Sequence, residues 1–494
     1  MAIPELILGG PGCGKTFALL NIVDDLFKQG VAPNRIAYLA FTRKAAQEAK
    51  ARAEQQFGFT DDDLPFFRTI HSFAFKMLEL THTEVMSKAH YTELGNELGF
   101  HFGEVDEDLG LPLGAGRGDR FSYTEQSARL KNISLKQACL DTGERYWDVK
   151  LFSDALRQFK AARYLKDFTD MLEDYHAYGL VPPLEAVIVD EGQDLSPLQW
   201  RVVEKIWEGV PRIYIAGDDD QAIYKWAGAD VDHFLALKGK KTVLPVSYRL
   251  SRQVFEKCQE VLKQIGHRYT KDWTPAGHEG SITRYGSEEY IDYSEGSWLC
   301  LARNKYRLHG YREFMHTHGF PYIMGGKSSV ANDNVKALLA WEALRKGKAI
   351  DVELVRNVYS KMLPGMIDPK HKKLPGVADD NLTMEQLKAD HGLLTAADWM
   401  EVLRIPQGQR EYYRAIRHRG ESLLETPRIT IATIHSVKGG EADNVALFVD
   451  MAAASYNEYM TTPDNEARCF YVGVSRAKYG LHLIHPQTSR YFPL

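Results

Sequence analysis

The sequence predicts an α/β protein of two domains with parallel sheets, each interrupted by a mostly helical insertion. Three observations carry that prediction. Short apolar runs of strand type alternate with longer stretches of helical periodicity, the rhythm of a sheet whose parallel strands are joined by crossover helices. A glycine-rich turn, Gly9 to Thr16, sits where the first such run gives way to the first helix. The rhythm then stops twice, over residues 81–179 and 330–424, where helix formers and aromatics replace the short β-branched runs. A length of 494 residues suits this division, since a domain usually takes roughly 100 to 200 residues.

In chain order, Glu5 to Leu8 reads as a strand, Lys15 to Gln29 as a helix, Arg35 to Ala40 as a strand and Arg43 to Phe57 as a helix. The alternation resumes with Ala186 to Val189, a helix over Ser196 to Glu208, and Arg212 to Ala216, whose apolar runs are too short for helices. Residues 1–80 and 180–241 therefore make the first domain, with 81–179 inserted. The second series reads Thr242 to Val246 as a strand, Arg252 to Ile265 as a helix, Ser281 to Tyr285 and Trp298 to Leu301 as strands, and a helix after Asn304. It returns with strands at Arg428 to Ile434 and Val445 to Val449, a helix over Asn465 to Lys478, and a strand over Leu481 to Ile484. The second domain is thus 242–329 and 425–494, with 330–424 inserted. Inside that insertion Val335 to Leu344, Val352 to Tyr359 and Met384 to Lys388 carry helical periodicity, punctuated by Pro364-Gly365 and Pro375-Gly376.

Lys and Arg number 61 against 66 Asp and Glu, a formal charge of -5. This excludes a uniformly basic coat and leaves room for a local basic groove. Lys370-His371-Lys372-Lys373 reads as a solvated face. Hydrophobic residues at 44% and charged residues at 26% support packed cores and exclude disorder. No signal-type leader opens the chain, and no window holds the ~18 apolar residues a membrane helix needs. The expectation is a cytoplasmic protein with no membrane partner. Cys13, Cys139, Cys258, Cys300 and Cys469 are scattered and never spaced as CxxC, so reduced thiols are expected.

Gly9-Gly10-Pro11-Gly12-Cys13-Gly14-Lys15-Thr16 matches GxxxxGK[ST] between a strand and a helix, the setting that makes a phosphate loop credible. Glycines let backbone N–H groups curl around phosphate oxygens. Lys15 reaches the β- and γ-phosphates, and the Thr16 hydroxyl ligates Mg²⁺. Cys13 reads as a small filler. Ala186 to Val189 ends in Asp190-Glu191-Gly192-Gln193-Asp194, two carboxylates at the end of a buried strand, where α/β sheets hold their ligands. Asp190 would hold Mg²⁺ through its water shell, and Glu191 would orient and deprotonate the attacking water. After the next strand, Gly217-Asp218-Asp219-Asp220-Gln221 offers an amide at Gln221 that would sense the γ-phosphate. Tyr224-Lys225-Trp226 follows, two aromatics and a cation of the kind a single-strand stacking platform needs. An isolated Trp is more often core.

Taken together these blocks resemble the UvrD/Rep/PcrA-type helicases of superfamily 1A. Phe41-Thr42-Arg43-Lys44-Ala45-Ala46 is similar to the family's motif Ia, Thr69-Ile70-His71-Ser72-Phe73 to motif Ib, and Asp190 to Asp194 to motif II. Gly217 to Ala229 resembles motif III and Ser247-Tyr248-Arg249 motif IV. Thr433-Ile434-His435-Ser436-Val437-Lys438-Gly439-Gly440-Glu441 resembles motif V, and Tyr471-Val472-Gly473-Val474-Ser475-Arg476-Ala477 motif VI. The blocks follow family order from Gly9 to Lys478. The resemblance implies two RecA-like P-loop domains, each with its helical insertion, and Mg-ATP bound between them. It implies that Tyr248 stacks on adenine and that Glu441 bonds the ribose. It also implies that Arg249 and Arg476 reach the γ-phosphate from the second α/β domain, as finger arginines do. Phe41, Thr42, His71, Tyr224, Trp226, Thr433 and His435 would line the strand path.

The resemblance further implies an ATP-dependent DNA helicase or translocase that moves 3′ to 5′ on single-stranded DNA and works at junctions with duplex. An accessory loading protein stays open as a further partner. RNA stays open as the strand, because stacking does not read the 2′-hydroxyl. The chain starts four residues before its first strand, where the family carries a segment with an adenine-reading glutamine, so weaker base selectivity is expected. The second insertion is short for the family. That suggests one alternative, a translocase that remodels protein–DNA complexes and unwinds weakly. A P-loop ATPase switch with no motor activity on nucleic acid is the other.

Overall fold

The computed structural model describes residues 2–103, 105, 110–112, 114, 116–374 and 381–494, so Pro375-Gly376 lies outside the described residues. Its first sheet is built from the short apolar runs: β1 (Glu5–Leu8), β2 (Ile36–Ala40), β3 (Phe67–Thr69), β4 (Ala186–Val189), β5 (Arg212–Gly217) and β6 (Lys240–Val243). They lie in the order β3-β2-β4-β5-β1-β6, every pair parallel. Strand periodicity sends alternate side chains to opposite faces. Leu6, Leu8, Leu39, Val187 and Val189 join one core, while Ile7, Tyr38, Ala40 and Ile188 join the other. Leu8 pairs with Gly217 and Val189 with Ile215, so the C-terminal ends of β1, β4 and β5 lie side by side.

Residues 81–179 contribute helices Lys88–Leu98, Arg117–Leu130, Leu135–Thr142, Tyr146–Arg163 and Phe168–Tyr178. Phe121, Phe152, Leu156 and Phe159 form a core of their own there.

The second sheet comprises β7 (Ser281–Tyr285), β8 (Trp298–Ala302), β9 (Tyr322–Met324), β10 (Lys327–Ser328), β11 (Ile429–Thr433), β12 (Ala442–Phe448) and β13 (Ala477–Ile484). The order is β10-β9-β11-β8-β12-β13-β7, parallel except for the β9–β10 hairpin. Helices Asp333–Arg345, Val352–Lys361, Met384–Asp390, Trp399–Val402 and Gln407–Arg419 fill the second insertion around Trp341, Tyr359 and Trp399.

The chain divides into two compact units, 1–279 with 457–475, and 280–456 with 476–494. The expected domain boundary at 241/242 is therefore displaced. β6 begins at Lys240 and pairs with β1 rather than opening the second sheet. Helix Arg252–Leu262 buries Val254, Cys258, Val261 and Leu262 within the first unit. The helix expected over Asn465 to Lys478 runs Pro463–Val474, because from Ala477 onward the chain pairs with β12. All five cysteines are buried free thiols. Among the described residues no helix is long and apolar enough to cross a membrane.

Candidate nucleotide and nucleic-acid site

The glycine-rich turn leaves β1 at Gly9 and enters helix Lys15–Lys28. Two of its glycines have steric reasons. Gly12 has φ +70°, and a Cβ there would come within 2.4 Å of the Arg249 Cβ. A Cβ on Gly10 would meet the Trp273 ring at 2.5 Å. The Trp273 indole N–H is buried with no hydrogen-bond partner among the described residues. Lys15 is 8% exposed and donates to the loop's own carbonyls, Gly9 O at 3.0 Å and Gly10 O at 3.4 Å. Burial holds the Cys13 thiol up at about 11, an unreactive state that suits a filler.

Adjacent strand ends bring the next groups in. The Thr16 hydroxyl donates to Asp190 Oδ2 at 3.0 Å, and the Tyr38 hydroxyl donates to the same oxygen at 3.2 Å. Burial, then the Glu191 charge, push the Asp190 carboxyl up to about 6; the Thr16 hydrogen bond works against them. Such a carboxylate gains from a cation. Thr16 and Asp190 form a pair of hard oxygen donors, which fits magnesium bound with part of its water shell. Glu191 sits in left-handed backbone at φ 55°, a strained conformation for a non-glycine residue. Its carboxylate accepts from the Gln193 amide, whose Oε1 accepts from the Asp218 N–H at 2.9 Å. Gln221 donates to Asp218 Oδ2 at 2.7 Å.

Asp218, Asp219 and Asp220 are all fully buried. Lys271 binds all three, at 2.9 Å to Asp218 and 2.8 Å to Asp220. Arg268 forks onto Asp220 at 2.7 and 2.6 Å, and Arg468 donates to Asp219 O at 2.9 Å. Burial alone would raise the Asp218 carboxyl, but the Lys271 and Lys15 charges overcome it and hold it below the usual range. Lys271, Gln193, Tyr38 and Trp273 touch the site and motif reading missed them; Arg268 and Arg468 hold Asp219 and Asp220 on the side away from it. Only Gln193 had a signal, its place in the Asp190 to Asp194 block.

Ser247-Tyr248-Arg249 belongs to the first unit, which corrects the expectation that Arg249 comes from the second domain. Hydrogen bonds fix it there: Ser247 Oγ donates to Pro11 O at 2.7 Å, and the Tyr248 N–H donates to Gly12 O at 2.9 Å. Tyr248 is 79% exposed, a free ring face beside the loop.

Phe41, Tyr224 and Trp226 form an aromatic run, with centroids 5.3 Å and 6.2 Å apart in sequence along it. Tyr224 and Trp226 are half-buried, whereas Phe41 is buried in the core. The Thr42 hydroxyl caps helix Arg43–Phe57 by accepting from the Ala45 N–H. His71 is buried, its Nε2 lacks a partner among the described residues, and burial followed by the Arg43 charge depresses it to about 4. It is neutral at pH 7 and brings no cation to a phosphate.

The second unit holds Thr433, His435, Glu441 and Arg476. Thr433 Oγ1 lies 3.1 Å from Ser436 Oγ at the end of β11, and His435 opens the following turn, half-buried. Glu441 pairs with Lys478 at 2.8 Å. Arg476 is 1% exposed and donates to Gly440 O at 3.1 Å.

The family model for the UvrD/REP helicase N-terminal domain matches residues 2–242, and that for the UvrD-like helicase C-terminal domain matches residues 414–488. The ATP-dependent DNA helicase PcrA of Bacillus subtilis is 25% identical over 398 residues, covering 72% of this chain and 53% of its own length. The ATP-dependent DNA helicase Rep of Escherichia coli is 24% identical over 397 residues, covering 68% and 55%. DNA helicase II of Haemophilus influenzae is 25% identical over 410 residues, covering 71% and 53%. The chain thus spans about half the length of these relatives.

Proposed function

The chain belongs to the UvrD/Rep helicase family, and on that premise we propose that it hydrolyses ATP to move 3′ to 5′ on single-stranded DNA, acting as a helicase or translocase. The observation that carries the reading is the convergence at neighbouring strand ends of the phosphate loop, Asp190-Glu191 and the Gln221 amide. Relatives named as DNA helicases support DNA as the strand.

In this mechanism the backbone N–H groups of Gly12 to Thr16 cradle the phosphates, and Lys15 exchanges its two carbonyl partners for phosphate oxygens. Tyr248 stacks on the base, with Glu441 on the ribose. Thr16 and, through water, Asp190 would hold a magnesium ion, which when bound neutralises phosphate charge. Glu191 takes a proton from water as the water oxygen bonds to the γ-phosphorus and the bond to the ADP oxygen breaks. Gln221 orients that water. Arg249 and Arg476 stabilise charge on the transferring oxygens. Tyr224 and Trp226 give bases an aromatic surface in the first unit, and Thr433 and His435 are the strand contacts proposed for the second.

The test is ATPase turnover with and without single-stranded DNA. Wild type should be stimulated by the strand, and Lys15→Ala and Glu191→Gln should each lose about 100-fold or more in kcat. Unchanged turnover in either variant, or no stimulation of wild type, would defeat the reading. A tailed duplex read beside streptavidin displacement separates helicase from protein-remodelling translocase. RNA in place of DNA identifies the strand.

A further inference from the structure

Three consecutive carboxylates with oxygens within 4.8 Å of one another form the kind of nest that gathers a cation, and here the cation is Lys271. Its ammonium is fully buried and has three N–H donors for three carboxylates. Arg268 binds Asp220 and Arg468 the Asp219 carbonyl, so three cations gather at the three buried carboxylates. What distinguishes Lys271 from Arg268 is where its contact leads. Asp218 accepts the Gln221 amide on one oxygen and Lys271 on the other, and its N–H binds the Gln193 side chain that holds Glu191. Among the described residues the Arg268 side chain is hydrogen-bonded to Asp220, whereas the bonds to Gln221 and Gln193 are made by Asp218.

We propose that Lys271 is a positioning residue for ATP hydrolysis: by fixing the Asp218 carboxylate it aims the Gln221 amide and, through Gln193, the Glu191 carboxylate. The residue stands more than fifty positions from Asp218 in sequence, and among the described residues its ammonium reaches the nucleotide site through that carboxylate. Its effect therefore falls on the orientation of the water and its base, and leaves nucleotide affinity alone.

This inference rests on the ATPase reading above, and the experiment separates the two. Wild type, Lys271→Met and Arg268→Gln are compared in DNA-stimulated ATPase, each well below its own Tm. Lys271→Met should lower kcat about 10- to 100-fold with KM for ATP within about threefold, the signature of a lost transition-state contact. Arg268→Gln loses a cation of the same cluster and should keep kcat within about threefold. If Lys271→Met does not fold, Lys271→Arg keeps the charge while its planar fork cannot serve three divergent carboxylates, and about a tenfold loss in kcat is expected. Wild-type kcat in a folded Lys271 variant, a matching rise in KM, or an equal loss in Arg268→Gln overturns the inference alone. A wild type without DNA-stimulated hydrolysis overturns the ATPase reading with it.

Discussion

Two buried ionic clusters in the first unit are built from the same residue types and do different things. Around Asp218 to Asp220 three carboxylates are met by three cations, Lys271 and Arg268 paired with the carboxylates themselves and Arg468 on the Asp219 main-chain carbonyl. In the helical insertion Arg129 and Lys160 face Glu125, Asp167, Asp170 and Glu173, and Lys166 pairs with Asp174 beside them, so among the described residues carboxylates outnumber cations. Glu125 Oε2 there is buried without a hydrogen-bond partner among the described residues. Burial, only partly offset by Arg129, pushes the Glu125 carboxyl up to about 7. The matched cluster hands its hydrogen bonds on to the side chains of the candidate site. The mismatched one ties helices Arg117–Leu130, Tyr146–Arg163 and Phe168–Tyr178 together and raises the proton affinity of Glu125. Buried charge by itself thus says little about function; the destination of the hydrogen bonds says more.

The largest expected effect comes from breaking the matched cluster at its junction. Asp218→Ala removes the acceptor of both Lys271 and Gln221, and kcat should fall about 100-fold while Tm drops, because a buried ammonium loses a partner. Near-normal turnover would detach the cluster from the chemistry. Breaking the mismatched cluster should cost stability and spare activity. Arg129→Met leaves buried carboxylates without their main cation, about 3–5 kcal/mol by urea unfolding, with kcat and KM unchanged at temperatures where the variant is folded. A specific loss of kcat would dissolve the contrast.

The smallest effect concerns the Glu125 proton. With a folded pKa of about 7 against an ordinary 4.5, Glu125 binds more proton folded than unfolded between those values. Its stability contribution is therefore full below about pH 4.5, falls as pH rises to about 7, and stays low above. The loss is on the order of 3 kcal/mol. Glu125→Gln should have a higher urea midpoint than wild type at pH 8 and a similar one at pH 4.5; parallel curves across that range would refute it.

Much of this architecture was legible in the sequence because it is local. The run Ala186 to Val189 followed by two carboxylates, and the glycine-rich turn before Lys15, each carry their strand, turn and helix within a dozen residues. What was not legible depends on partners. Thr242 to Val246 has a strand pattern, but periodicity does not say which sheet a strand joins, and β6 joins β1. Three-residue β3 is too short to show alternation. A motif names His71 and Phe41 without stating that both are buried. Lys271 and Arg268 lie in a segment with no pattern of their own, and their role exists only because folding brings them to Asp218, Asp219 and Asp220.

The contact between Trp273 and Gly10 has a consequence of another kind. An indole pressed against the turn that would wrap a phosphate chain is a chromophore whose surroundings change whenever that turn changes shape. The eight tryptophans of the chain otherwise average into one signal. With the other seven replaced, the emission of Trp273 becomes an optical gauge of the loop, carried by the polypeptide itself and needing no attached dye.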